Sequence, residues 1–72
     1  MQKIEPRTVQ LVTINEDGTI GEHLTKWSHL EADTFTRARI TARHEANQSG
    51  KDVAILVCFA GSSPITTEIV RH

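Results

Sequence analysis

The sequence predicts a small α+β domain in which one helix packs on a four-stranded antiparallel sheet. Two pairs of strand-like segments are joined by turn residues, one amphipathic segment lies between the pairs, and 72 residues suffice for one domain, residues 1–72. The predicted element order is ββαββ. Of all residues, 38% are hydrophobic and 24% are charged, with a net charge of −1. This composition is unlike that of a disordered chain or a strongly basic nucleic-acid binder.

The first hairpin is predicted over residues 8–14 and 19–26. The first of these segments is β-branched and apolar, and it ends at a turn that contains Asp17-Gly18, a pair that supplies the positive φ angles of tight hairpins. The second segment is more polar and is therefore predicted as an edge strand. Gly21 inside it predicts a β-bulge.

The turn of this hairpin also resembles the middle of an EF-hand calcium loop. When the segment is aligned on Gly18, Thr13 and Leu24 occupy the two positions at which such a loop needs acidic ligands. Neither side chain can bind calcium in that role. A hairpin turn is therefore the preferred interpretation.

The central helix has two alternative starting points in the sequence. Ser28 and Glu31 have the spacing of a capping box, which predicts a start at His29. A later start at Thr34 is the alternative. The helix is predicted to end near residue 47, with Gly50 as the stop. At 100° per residue one face carries mostly small side chains: Ala32, Phe35, Ala38, Ala42 and Ala46.

The second hairpin is predicted over residues 52–60 and 65–71. The first segment is apolar on both faces, which indicates a central strand. The second alternates between two faces and is predicted as the other edge. Pairing the third strand with the first gives the strand order 2-1-3-4, with both polar strands at the edges.

No arrangement of residues predicts catalysis, a metal site or a cofactor. The four histidines, His23, His29, His44 and His72, do not share a metal-binding spacing. The one cysteine, Cys58, lies in an apolar run and is predicted to be a core thiol. A chain of this size also has little room for an apolar ligand pocket, so neither a small-molecule substrate nor an enzymatic activity is expected.

The cytoplasm is the predicted location. Residues 1–6 contain no apolar leader, and the longest apolar run, residues 53–60, is too short to cross a bilayer.

A nucleic-acid-binding module is the alternative functional hypothesis. It would use the basic residues of the helix and the following turn, because arginine side chains neutralise phosphates and contact base edges. The candidate residues are Arg37, Arg39, Arg43 and Lys51. A solvated helix face is the simpler interpretation, since these residues spread around the helix and no aromatic residue lies among them.

The leading hypothesis is a non-catalytic protein-interaction module that forms a homodimer. One helix covers one sheet face, and strands 1 and 3 carry apolar residues on both, so the second face is expected to expose contiguous apolar area. Twist and the two chain termini could instead cover that face. The fourth strand could also pair with a copy of itself or with a partner strand. The candidate interface residues are Ile40, Ile65, Thr67, Ile69 and Arg71. A small regulator or inhibitor that binds a larger protein would use the same surface.

Overall fold

The computed structural model describes residues 6–72 as four strands and one helix in the predicted order ββαββ. The sheet has the order β2-β1-β3-β4 and is antiparallel throughout. The predicted fold class and strand order are therefore confirmed. The elements are β1 (Pro6–Ile14), β2 (Ile20–Trp27), α1 (Thr34–Ser49), β3 (Asp52–Phe59) and β4 (Ile65–Val70).

The expectation of no apolar leader mostly concerns residues 1–5, which lie outside the described residues. In the part of the chain that is described, no helix is long and apolar enough to span a membrane.

The main core lies between α1 and one face of the sheet. The helix buries Ala38, Ala42 and Ala46, and their small side chains allow its backbone to approach the strands closely. The sheet supplies larger side chains, with Leu11 and Ile55 among those fully buried. Phe35, Trp27 and Leu30 pack at the margin of this core. We call this side of the sheet the helix face.

The helix begins at the later of the two predicted starts. Among the residues predicted for the small-residue face of the helix, Ala32 is exposed and lies before the helix begins. The capping-box start at His29 is wrong because β2 continues through Trp27, which pairs with Val9. Instead of a Ser28 cap, the buried hydroxyl of Thr34 accepts a hydrogen bond from the Glu31 N–H at 2.7 Å. The predicted stop is confirmed, since Gly50 takes a left-handed conformation at φ 68°.

The β1–β2 connection is a hairpin turn, as predicted. The Asn15 N–H donates to the Thr19 carbonyl at 2.8 Å, and Gly18 has a φ of 88°. The Asp17 carboxylate accepts hydrogen bonds from the hydroxyl and the N–H of Thr19, which lowers the pKa of Asp17 below its ordinary value. Asp17 thus stabilises the hairpin turn.

The second face of the sheet, opposite α1, carries a smaller apolar cluster. Val12, Ala54 and Leu56 form it, with Ile14 packed alongside, and the three are at most 3% exposed. The expectation of contiguous exposed apolar area is therefore wrong for the centre of this face. Apolar exposure lies instead at the two edge strands, where Ile20 and Ile69 are both exposed.

Candidate interaction site

Strand β4 is the more exposed of the two sheet edges. Its first five residues, 65–69, are all exposed, and only Val70 is buried. Ile65 is 50% exposed and Ile69 is 42% exposed. Among the described residues β4 pairs only with β3. An exposed edge of this kind carries unpaired backbone groups, which are a template for a further strand.

A β-bulge at Thr67 divides β4 into two short segments. Adjacent residues of β3, Ile55 and Leu56, pair with Glu68 and Thr66, so Thr67 is the extra residue. The Thr67 hydroxyl donates to the Ile55 carbonyl at 3.1 Å. A bulge of this type changes which side of the sheet the following residues face. The predicted uninterrupted alternation over residues 65–71 is therefore wrong.

The bulge places the two exposed isoleucines of β4 on opposite faces. Ile69 pairs with Ala54, which belongs to the second-face cluster. Ile65 pairs with Val57, which belongs to the core under the helix. Because opposed residues in a ladder share a face, Ile69 lies on the second face and Ile65 on the helix face. Two of the predicted interface residues thus share an edge but not a face.

The charged groups of β4 and of the residue that follows it are bonded within the chain. The Arg39 guanidinium donates to the Glu68 carboxylate at 2.8 Å. The Arg71 side chain donates to Asp52 at 2.7 Å, and Arg43 donates to the Arg71 carbonyl at 2.6 Å. Exposed ion pairs such as these contribute at most about 1 kcal/mol each to stability. The bond from Arg39 holds the Glu68 charge towards the helix.

Asp52 collects three hydrogen bonds at the end of β4. His72 donates to its carboxylate from the backbone N–H at 3.1 Å, and the His72 Nδ1 lies 2.8 Å from the same oxygen. These contacts, together with Arg71, lower the pKa of Asp52 to about 2. Sequence analysis missed this cluster, because 20 residues separate its members and no local pattern links them. It fixes the position of the chain immediately after β4.

The opposite edge, β2, is less suited to pairing. Its register against β1 shifts twice, once at Leu24 and once in the region of Gly21. The predicted bulge at Gly21 is thus confirmed. Glu22, His23 and Lys26 are exposed along the strand. Bulges and exposed charges protect edge strands from association, and β2 has two bulges and three exposed charged or histidine side chains where β4 has one bulge and one carboxylate.

Ile40 lies apart from β4. It is 66% exposed on α1, about 200° around the helix from the buried Ala38. That position is on the side of the helix turned away from the sheet. The structure therefore does not bring Ile40 together with the β4 residues predicted to share an interface with it.

Each predicted nucleic-acid arginine contacts an acceptor in the chain. Arg37 bonds Asp33 at 2.9 Å, and Arg39 and Arg43 reach towards β4. A phosphate would have to compete with these partners. Lys51 lies at the opposite end of the helix from Arg37, beyond Gly50. The four residues do not form one continuous basic surface.

An open cleft of about 800 Å³ lies at one end of the sheet. The β1–β2 turn forms one wall, the α1–β3 turn forms another, and Asp52, Arg71 and His72 also line it. Charges of both signs border it, and two of its three acidic residues, Asp17 and Asp52, are bonded within the chain. Over residues 6–72, no group of three or more histidine, cysteine or acidic side chains is placed to hold a metal ion.

Cys58 is half-buried rather than part of the closed core. It lies at the end of the second face, where the Gln10 side-chain amide donates to its sulfur at 3.3 Å.

Comparisons with known proteins do not indicate a function for this chain. No protein-family model, no curated protein and no solved structure matched this chain.

Proposed function

We propose that this chain is a non-catalytic protein-interaction module of the cytoplasm that forms a homodimer through strand β4. The observation that supports the proposal best is the contrast between the two sheet edges. β4 exposes two isoleucines and has one bulge, and its one carboxylate is bonded by Arg39. β2 exposes one isoleucine, is interrupted by two register shifts and carries several exposed charges.

Size supports self-association as well. A chain of about 70 residues buries only roughly 60% of its unfolded surface, so its stability is small and a partner subunit adds to it. Among the described residues the second-face cluster is small, with three buried members. Pairing at β4 would extend both the sheet and this apolar layer.

A role as a small regulator or inhibitor uses the same edge. A larger protein could add one of its own strands to β4, in the manner of β-augmentation. Such a partner would compete with dimerisation, because both would occupy the backbone groups of one strand. The monomer–dimer equilibrium is therefore the first property to measure.

The test is sedimentation velocity of the wild-type protein and of two matched variants at micromolar concentration. We expect a wild-type dimer, a monomeric Ile69→Lys variant and an unchanged dimer for Ile40→Lys. Both variants replace an exposed isoleucine with lysine, so they change the net charge equally. A wild-type monomer throughout the concentration range would overturn the homodimer, and loss of the dimer in Ile40→Lys alone would move the interface to the helix.

Nucleic-acid binding through Arg37, Arg39, Arg43 and Lys51 stays the alternative prediction. Binding by phosphate contacts weakens steeply with salt. Absence of an electrophoretic mobility shift at low salt would remove it.

A further inference from the structure

We infer that β4 opens as a unit, away from the rest of the sheet, and that exposed side-chain contacts keep it closed. The hinge of this motion is the β3–β4 turn, residues 60–64. The inference goes beyond the proposed function and stands without it. It follows from the small apolar burial of β4, from the contacts that fasten it and from its interrupted ladder with β3.

Apolar packing holds β4 only weakly. Of its six residues, only Val70 is buried, and it packs in the core under the helix. The other edge strand, β2, packs both Leu24 and Trp27 against this core. Burial of apolar area is the main stabilising term in folding. We therefore expect that less free energy is needed to separate β4 from the sheet than to separate β2, which also continues into packed elements at both ends.

Exposed polar contacts fasten β4 to the helix and to β3. Glu68 accepts from the Arg39 guanidinium at 2.8 Å. Asp52, the first residue of β3, accepts from the Arg71 side chain at 2.7 Å, and Arg43 donates to the Arg71 carbonyl at 2.6 Å. Ion pairs at a protein surface are weak and are screened by salt. The closed position of β4 therefore depends on contacts that ionic strength weakens.

The ladder between β3 and β4 is interrupted near its middle. Thr67 is the bulged residue, so the regular pairs on its two sides involve only residues 65–66 and 68–70 of β4. At the turn, Gly61 has a φ of 73°, and the Ser62 N–H donates to the Phe59 carbonyl at 3.2 Å. Short segments with few buried contacts open locally at a lower free energy than the whole domain unfolds.

Opening of β4 would uncover the edge of β3 on that side. Residues 53–57 of β3 are all buried in the closed sheet, and their side chains are apolar on both faces. An edge of this kind is a template for strand pairing. β4 thus acts as a displaceable cover on the most apolar strand of the domain, and the ion pairs determine how often that cover opens.

Amide hydrogen exchange followed by NMR tests local opening. It is measured at a concentration where sedimentation finds the monomer, on the β4 amides that bond to β3. We expect their protection factors to be at least about tenfold below those of β1 and β3. Their dependence on urea should also be shallower, because local opening exposes less surface than global unfolding. Raising the salt concentration from about 0.05 M to about 0.5 M should speed exchange in β4 more than in β2.

Two substitutions on the helix separate release of β4 from a general loss of stability. Arg39→Gln removes the bond to Glu68 and should speed exchange of the β4 amides several-fold, with little change in the rest of the sheet. Arg37→Gln is the matched control, because it removes the same charge from the same helix. Arg37 bonds Asp33 at 2.9 Å rather than a residue of β4, so exchange in β4 should not change.

The inference is overturned if the β4 amides exchange at the rates of β1 and β3 with the same urea dependence, since β4 would then open only when the whole domain unfolds. It is also overturned if Arg39→Gln speeds exchange equally in all strands, or if the two substitutions act alike on β4. Each of these results leaves the proposed homodimer to its own test by sedimentation, and a monomeric wild type leaves local opening of β4 unaffected.

Discussion

At the scale of single residues, Gly21 shows how one position determines the path of a strand. A Cβ atom added there would clash with the Thr13 Oγ1 and would lie 2.9 Å from the Asn15 Oδ1. Thr13 is buried, and its hydroxyl accepts the Glu22 N–H at 2.8 Å. A glycine inside a strand predicts a bulge from sequence. The partner Thr13 could not be predicted, because it depends on the register that the bulge itself sets.

We predict that Gly21→Ala destabilises the protein by about 1–3 kcal/mol, since Thr13 must move and lose its hydrogen bond. Urea unfolding measures the change. In a Thr13→Ala background the obstructing hydroxyl is gone, so the same substitution should cost markedly less. Equal costs in the two backgrounds would show that Thr13 does not restrict position 21.

Asp52 provides a second prediction at this scale. The contacts of His72 and Arg71 lower its pKa from the ordinary 3.8 to about 2 in the folded state. A group whose pKa is lower in the folded state contributes stability above its unfolded pKa and loses it as the pH falls through the folded value. Stability from Asp52 should therefore be complete above about pH 4 and should disappear towards pH 2. A carboxyl NMR titration of Asp52 with a midpoint near its ordinary value would contradict this, whereas His72→Ala should move the midpoint upwards.

At the scale of elements, the start of α1 shows where local sequence signals fail. Ser28 and Glu31 form a good capping-box pattern, but pairing of Trp27 with Val9 keeps the chain extended up to that point. The helix then begins five residues beyond the predicted His29. Its end was predictable because Gly50 acts through its own backbone conformation.

We predict that Thr34→Ala lowers the free energy of unfolding by about 1–2 kcal/mol, because the buried hydroxyl that accepts the Glu31 N–H is lost. Thr34→Ser keeps the hydroxyl and should retain most of the stability. Ser28→Ala should change it by less than about 0.5 kcal/mol, as expected for an exposed position without a structural bond. A larger loss of unfolding free energy for Ser28→Ala than for Thr34→Ala would show that Ser28 caps the helix after all.

The two edge strands show the same limit of prediction. Their polarity was enough to place β2 and β4 at the edges, and the structure confirms both positions. The bulges at Leu24 and Thr67 carry no distinctive residue that marks them in the sequence. Because each bulge shifts the residues beyond it to the other face, strict alternation gave the wrong face for part of β4. The edge position of β4 was thus predictable from sequence, whereas the faces of its residues required the register.

At the scale of the whole molecule, the strand order followed from where apolar residues could be buried. β3 is apolar on both faces and lies in the centre beside β1, as predicted. The closed centre of the second face was not predicted, because Val12, Ala54 and Leu56 are distant in sequence and their burial depends on the assembled sheet. The result is a domain whose exposed apolar side chains lie at its edges and on the outer side of its helix.

The central proposal is that this protein associates through the β4 edge. Amide NMR spectra recorded during dilution from millimolar to low micromolar concentration test it most directly, with β2 as the internal control. We predict that the amide resonances of residues 67–71 shift on dilution while those of residues 20–26 do not. Concentration-independent resonances throughout β4, or shifts confined to β2, would contradict the claim.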